Sequence, residues 1–349
     1  MKAIKGFLFT ALFLLTVFPT LAETRTRDYW PTEDWKVGSP EQLGFDMAKL
    51  QSIESFVKQS LPRTTSILVI KNGYIAYERY FAADKNSPRG LYDETASVIS
   101  ILIGMLIDSH QIGDVEDSML SYLPELRSEN IAPDIEKITI RNLLTMSSGL
   151  PLPYDPVTGT IVIDEIRGML SRPLGSMPGQ TFAYNAANSN LLSMIITKIT
   201  KKTAAEFAAS QLFQPLGIKK YYWLKSSGYS KSISGLSLTS RDMAKIGYLY
   251  LNHGKWDTTE VVSQNWVSES TRSQIRIDAA AEYFRDYGFL WWASSFGDYE
   301  AFFAYGFAGQ LIVVMPEPDL VVVITAGDEH AGHENYFAII TDCIIPALK

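Results

Sequence analysis

The chain has 349 residues, a formal net charge of −7 and 46% hydrophobic residues. That is enough for one large domain or two lobes around an ordinary core, and the acidic balance excludes nucleic acid and anionic membrane surfaces as partners. With one cysteine, Cys343, no intrachain disulfide holds the fold, and its apolar surroundings make it a small buried hydrophobe.

Residues 1–22 read as a secretory signal. Lys2 and Lys5 form a positive end, residues 6–19 are apolar, and Thr20-Leu21-Ala22 ends on a small residue before Glu23. The apolar run is short for a spanning helix. An exported bacterial protein, periplasmic or secreted, is expected, with no membrane span after cleavage; an uncleaved N-terminal anchor is the alternative. Residues 23–45, with Trp30, Pro31, Trp35 and Pro40, read as an extended lead-in, and residues 45–60 have helical spacing. Residues 66–71 and 74–81 form the clearest hairpin, because Asn72-Gly73 supplies the positive φ angles of a type I′ turn. Residues 82–91 are loop.

From Asp93 to about Ile233 the pattern is mainly helical. Asp93 is a favourable N-cap, and Glu94 suits the first turn. The stretch from Ser97 to Ile107 is apolar on most sides, so it belongs inside the protein. A charged helix start on a buried rod is a common mount for a nucleophile. Residues 140–146 form a short helix with Gly149 as C-cap. Residues 191–200 and 204–212 are amphipathic helices; Lys198, Lys201 and Lys202 are a solvated C-terminus, and Pro215 and Gly217 stop the second helix. Residues 238–252 form a helix capped by Thr239 or Ser240. Strands return at 287–292, 309–315 and 319–325, the last two joined by the turn Pro316-Glu317-Pro318. Residues 333–348 read as a terminal helix. The fold class is α+β: an antiparallel sheet flanked by helices, built from residues 23–90 and 235–349, with a helical lobe inserted over 91–234.

The segment Tyr92-Asp93-Glu94-Thr95-Ala96-Ser97 onward resembles the active-site helix of the serine beta-lactamase and penicillin-binding-protein superfamily. The resemblance is to its class C-like, esterase and 6-aminohexanoate-dimer-hydrolase branch, whose pattern is Y-S-x-T-K-S-x-x-S-x-L-I-G. Tyr92, Thr95, Ser97, Ser100, Leu102, Ile103 and Gly104 fit that pattern; the serine position holds Asp93 and the lysine position holds Ala96. Leu143-Leu144-Thr145-Met146-Ser147-Ser148-Gly149-Leu150 is similar to L-L-T-M-T-S-G-L. Gly235-Leu236-Ser237-Leu238-Thr239-Ser240-Arg241-Asp242-Met243-Ala244 is similar to G-L-x-x-T-A-R-D-M-A, and Tyr305-Gly306-Phe307-Ala308-Gly309-Gln310 to G-H-G-G-Q. The order and spacing of these motifs extend the resemblance along nearly all of 40–349.

The resemblance implies a beta-lactamase/transpeptidase-like fold and acyl transfer through a serine ester. A lysine three residues on would help deprotonate the serine, a tyrosine would pass the proton to the leaving group, and two backbone N–H groups would hold the oxyanion. The tyrosine motif then falls on Tyr184-Asn185-Ala186, where Ala186 replaces the usual asparagine and Asn188 stands nearby. The third motif falls on Phe307-Ala308-Gly309, where Phe307 replaces a lysine or histidine, and Gln310 would still offer its N–H. Asp93, Ala96 and Tyr184 are therefore the expected catalytic positions, and Asn185, Asn188, Phe307, Gly309 and Gln310 the expected ligand-binding ones.

At an ordinary carboxyl pKa of ~3.9, Asp93 is ionised and repels a developing oxyanion. Ala96 supplies no base. In a comparable hydrolase, losing nucleophile or base costs roughly a million-fold in turnover. No substitute nucleophile stands out. The Ser-x-x-Lys match at Ser55-Phe56-Val57-Lys58 lies in the helix that the resemblance places on the outer sheet face. Ser97 and Ser100 read as core residues, there is no G-x-S-x-G elbow, and spacing gives no support to a triad with His330 or His333. Asp328-Glu329-His330-Ala331-Gly332-His333-Glu334 holds metal-ligand residue types, but Gly332 marks it as a solvated loop. No metal and no cofactor is expected. Three readings follow: a scaffold that no longer acylates and binds a small-molecule or peptide-like, ester or lactam-like ligand; a hydrolase with Asp93 as base and Tyr184 as acid; or an envelope interaction protein. The first is preferred, because fold outlasts catalysis.

Overall fold

The computed structural model describes residues 25–82, 84–127, 130–151, 163–277, 282–327 and 335–349. The signal-like segment 1–22 and the cluster 328–334, with His330 and His333, lie outside the described residues. Both ends of the chain build one eight-stranded antiparallel sheet. Its spatial order is Ile275–Arg276, Asp286–Tyr287, Trp292–Phe296, Tyr299–Gly306, Gln310–Met315, Leu320–Ala326, Thr64–Lys71 and Tyr74–Tyr80. Gln310–Met315, Leu320–Ala326 and all but the last residue of Thr64–Lys71 are buried. Both faces of these strands are covered, so the sequence shows continuous apolar runs in place of alternation.

Asn72 (φ 53°) and Gly73 (φ 85°) close the first hairpin, as the Asn-Gly pair predicts. The turn after Met315 ends on Asp319 in the left-handed region (φ 53°). The two turns touch: the Asn72 N–H donates to the Asp319 carbonyl at 3.1 Å. Arg27 clamps them, donating to both Asp319 carboxylate oxygens at 2.6 and 2.8 Å and to Asn252 at 2.6 Å. A buried bidentate pair of this kind orients as well as attracts, and it anchors the extended lead-in.

One sheet face is covered by the helix Met47–Ser60, capped by Asp46, and by the C-terminal turns Ile339–Ile344 and Ile345–Ala347. On the other face lies Ser240–Leu251, capped by the Thr239 side chain. It approaches closely at Gly247, where a Cβ would stand 2.7 Å from Val321 and 2.9 Å from Ile312. Beyond it sits the buried helix Thr95–Asp108.

Several local expectations are corrected. Asp93 is not an N-cap: Tyr92–Glu94 is a 3-10 turn that runs directly into Thr95–Asp108, and no side chain caps that junction. Tyr92 (φ 50°) turns the chain one residue earlier than the capping rule assumes. The region read as mainly helical contains strands. Tyr221–Trp223 joins Leu236–Leu238 and Arg89–Gly90, the last in the span read as loop, in a small sheet, and Lys225–Ser226 pairs with Tyr229–Ser230. Local β-propensity of Tyr221-Tyr222-Trp223, with the positive φ of Ser227 and Gly228, outweighs the helical background. The short helix is Ile140–Leu144, and Met146 (φ 53°), not Gly149, makes the first left-handed bend. The expected strand 287–292 breaks at Leu290 (φ 60°) into Asp286–Tyr287 and Trp292–Phe296. Tyr299–Gly306 is a further strand that the apolar pattern did not reveal.

Gly104, inside the buried helix, faces Trp266: a Cβ there would lie 2.4 Å from the indole ring. Gly104→Ala is expected to lower stability by roughly 1–3 kcal/mol through overpacking, read as a reduced melting temperature. An unchanged melt would show that the indole yields without strain.

Candidate active site

The turn that carries Asp93 is held by backbone bonds to the small sheet. Leu91 donates to the Leu236 carbonyl at 2.8 Å, and Ser234 donates to the Tyr92 carbonyl at 3.1 Å. The end of the Tyr299–Gly306 strand reaches this turn because Gly306 has no side chain; a Cβ would stand 2.2 Å from the Leu91 carbonyl oxygen. Ala308 (φ 62°) and Gly309 (φ 89°) then bend the chain into Gln310–Met315. Gly309 packs so tightly under Tyr336 that a Cβ would lie 2.2 Å from the ring.

This architecture brings Asp93, Tyr184 and Phe307 together. The Tyr184 hydroxyl donates to Asp93 Oδ1 at 3.3 Å, and the Phe307 backbone N–H donates to Asp93 Oδ2 at 3.3 Å. Burial raises the Asp93 pKa above the usual carboxylate range, and these two donors pull the other way. Burial holds the Tyr184 phenol well above its ordinary value, reinforced by the Asp93 charge. Tyr287 and Tyr305 are raised by burial and by the same carboxylate. Among the described residues no lysine, arginine or histidine acts on Asp93. Ala96 is buried and presents only a methyl group. Phe307 is 47% exposed and sets its ring edge-on to Tyr92, centroids 5.9 Å apart.

The remaining expected residues are used by the scaffold. Asn185 caps the helix Ala186–Thr200, accepting from the Ala187 N–H at 2.9 Å, and its amide donates to the Leu150 and Pro151 carbonyls. Asn188 is buried, accepting from Ser148 and donating to the Met146 sulfur. The Gln310 side chain ties its strand to the next, donating to the Ala326 carbonyl at 2.8 Å. Gly309 contributes backbone shape. The other serines stand apart from this site: Ser97 donates to the Leu290 carbonyl at 2.6 Å, Ser100 is fully buried, and Ser55 is exposed on the outer helix. Little in the sequence shows that Tyr287 and Tyr305 would lie within reach of the Asp93 charge. Tyr305 opens the Tyr305-Gly306-Phe307 motif; the only other signal for either was a phenol within an apolar strand.

The triad offers a carboxylate beside a neutral phenol and a backbone donor. Such a site can accept a proton, donate one or hold a cation. It contains no hydroxyl–amine pair. A separate groove of about 1110 Å³, lined by Ser268, Arg276, Arg285 and Ser294 among others, opens at the free edge of the sheet. Asp93, Tyr184 and Phe307 are not part of it, and the chemistry marks the Asp93 site more strongly than the volume marks the groove.

Glu94 is 1% exposed, and neither of its carboxylate oxygens has a hydrogen-bond partner. Burial first, and Asp93 second, push its pKa well above the ordinary value. Below the unfolded pKa of roughly 4.3, folded and unfolded chains both hold the proton. As pH rises past that value only the unfolded chain ionises, so stability falls until the folded carboxyl ionises too. Glu94→Gln removes this loss. Its melting temperature is expected to exceed that of the parent protein at mildly alkaline pH, with the gap closing toward pH ~4. A gap independent of pH would show that Glu94 is already ionised in the fold.

The Beta-lactamase family matches residues 52–338. An uncharacterized protein of Alkalihalophilus pseudofirmus is 26% identical over 297 residues, covering 74% of this chain and 82% of that protein. The 6-aminohexanoate-dimer hydrolase of Paenarthrobacter ureafaciens is 24% identical over 337 residues, covering 88% of this chain and 82% of its own. The crystal structure of a class C beta lactamase from Rhodobacter sphaeroides superposes with a TM-score of 0.69 at 17% identity, over 86% of this chain and 99% of that one. With the family matched over most of the chain and the same mixed helix–sheet fold around the Asp93 turn, this protein belongs to the beta-lactamase-related family of hydrolases.

Proposed function

We propose that this chain is an exported member of its family that no longer forms an acyl-enzyme and keeps the cleft for a peptide-like, ester or lactam-like ligand. In this reading Asp93 stands at the serine position and Ala96 at the lysine position. The observation that carries it is the hydrogen bond from the Phe307 N–H to Asp93 Oδ2. A backbone donor at this strand end is suited to a developing oxyanion. Here it is engaged by a carboxylate built into the chain, so a second negative oxygen would meet an occupied donor and a repelling charge. Asp93 attack on a carbonyl would give a mixed anhydride, a poor intermediate, and Ala96 offers no base. Export rests on the pattern of residues 1–22.

One observation favours a second reading, the contact between Tyr184 and Asp93. A raised carboxylate can take a proton from water while a phenol kept neutral supplies one to a leaving group. This reading ranks second because the same base already engages the donor that the reaction would need.

Two experiments separate the readings. Fluorescent penicillin and fluorophosphonate probes are expected to leave the purified protein unlabelled; covalent labelling at any serine would remove the proposal. Asp93→Ser with Ala96→Lys is expected to restore labelling in the same cleft. If p-nitrophenyl acetate is turned over, and Asp93→Asn lowers that rate by roughly 100-fold or more, the second reading takes first place.

A further inference from the structure

We infer that the cleft recognises its ligand through a protonated amine, with the ammonium seated against Asp93 and its carbon chain along Phe307 and Tyr92. This rests on the reading of the cleft as a binding site and names the class of ligand it takes.

The inference starts from charge. Asp93 is partly open to solvent, and among the described residues its carboxylate accepts from two others, both at 3.3 Å and both neutral. Neutral donors at that distance leave much of the charge uncompensated. The next residue, Glu94, is driven toward its neutral form by burial and supplies no counter-charge; among the described residues neither of its oxygens has a partner. The groups that act on Asp93 are the Tyr184 phenol and the Phe307 N–H, and its charge is felt in turn by Tyr287, Tyr305 and Glu94. None is positive. A carboxylate-bearing ligand would meet like charge with no cation to receive it. An ammonium supplies the missing charge and donates up to three hydrogen bonds. A bare metal ion is a poorer fit, since no group of three or more His, Cys, Asp or Glu able to hold one is found among the described residues.

The second observation is independent of the acids. The Phe307 ring, one of the few large apolar side chains left exposed among the described residues, belongs to the residue whose N–H meets Asp93, and it is braced edge-on by Tyr92. An aromatic face beside a carboxylate is a setting in which cations bind, through the ring quadrupole. One turn beyond Asp93, Ala96 fills its position with a methyl group alone, so the chain supplies no amine of its own there.

Three ligands with one carbon skeleton test this on the full-length protein by calorimetry and thermal shift: hexylammonium, hexan-1-ol and hexanoate. Hexylammonium is expected to bind at least tenfold more tightly than the alcohol, and hexanoate to bind more weakly than both. Asp93→Asn is expected to remove at least tenfold of the hexylammonium affinity, and Phe307→Ala roughly two- to fivefold. Binding by the parent protein is expected to fall as pH drops through the Asp93 titration. That arm and Phe307→Ala keep the test intact if Asp93→Asn does not fold. Equal affinity for alcohol and amine, tighter binding of hexanoate, or full affinity in a folded Asp93→Asn protein would overturn the inference. An unlabelled protein that ignores hexylammonium defeats this inference alone, whereas labelling by the penicillin probe defeats the reading beneath it.

Discussion

The site depends on a close backbone approach between two parts of the fold. Gly306, at the end of a sheet strand, lies against the Leu91 carbonyl, at the start of the turn that carries Asp93. No other residue type fits there without moving one of the two backbones. From the other side, Leu91 and Tyr92 are pinned to Leu236 and Ser234. The turn is thus fixed between the large sheet and the small one, and Phe307 follows Gly306 directly. The contact between the Phe307 N–H and Asp93 is a consequence of that seam.

What the seam presents is a negative charge among neutral aromatic groups. Burial disfavours ionised Asp93, and the Tyr184 hydroxyl and Phe307 N–H offset part of that cost. A scaffold selected only for stability has no use for two adjacent carboxyls at the foot of a buried helix. Perturbed acids gathered at one place make it a candidate site. Its character is electrostatic: neutral donors, aromatic edges and an anion, with the polar groups of Asn185, Asn188 and Gln310 turned to holding the frame.

Much of the fold was legible because its signals are local. Asn72-Gly73 announces its own hairpin, Thr239 its own cap, and the runs at Gln310–Met315 and Leu320–Ala326 their double-sided burial. The errors arise where tertiary contacts override local preference. Asp93 has the chemistry of an N-cap, yet the positive φ of Tyr92 places it inside a 3-10 turn. Leu290 takes a left-handed backbone and donates to the Leu144 carbonyl, which no strand propensity foretells. At the site, the motifs indicated which residues stand near Asp93. They did not separate Phe307, which faces solvent, from Asn188 and Gln310, whose amides are consumed by neighbours. That distinction depends on hydrogen-bond partners far away in sequence.

The strand pairing that joins the N-terminal hairpin to the rest of the sheet also constrains how the molecule is made. Thr64–Lys71 takes one neighbour from its own hairpin and the other, Leu320–Ala326, from near the opposite end of the chain. Contacts of such long sequence separation form slowly, because a large loop must close before they are rewarded. An emerging polypeptide can zip the hairpin at once, but Thr64–Lys71 gains its second neighbour only after Leu320–Ala326 has been made. Until then one edge of Thr64–Lys71 stays unpaired. An open strand edge is a template for pairing with another chain, so the late arrival of Leu320–Ala326 also closes that route.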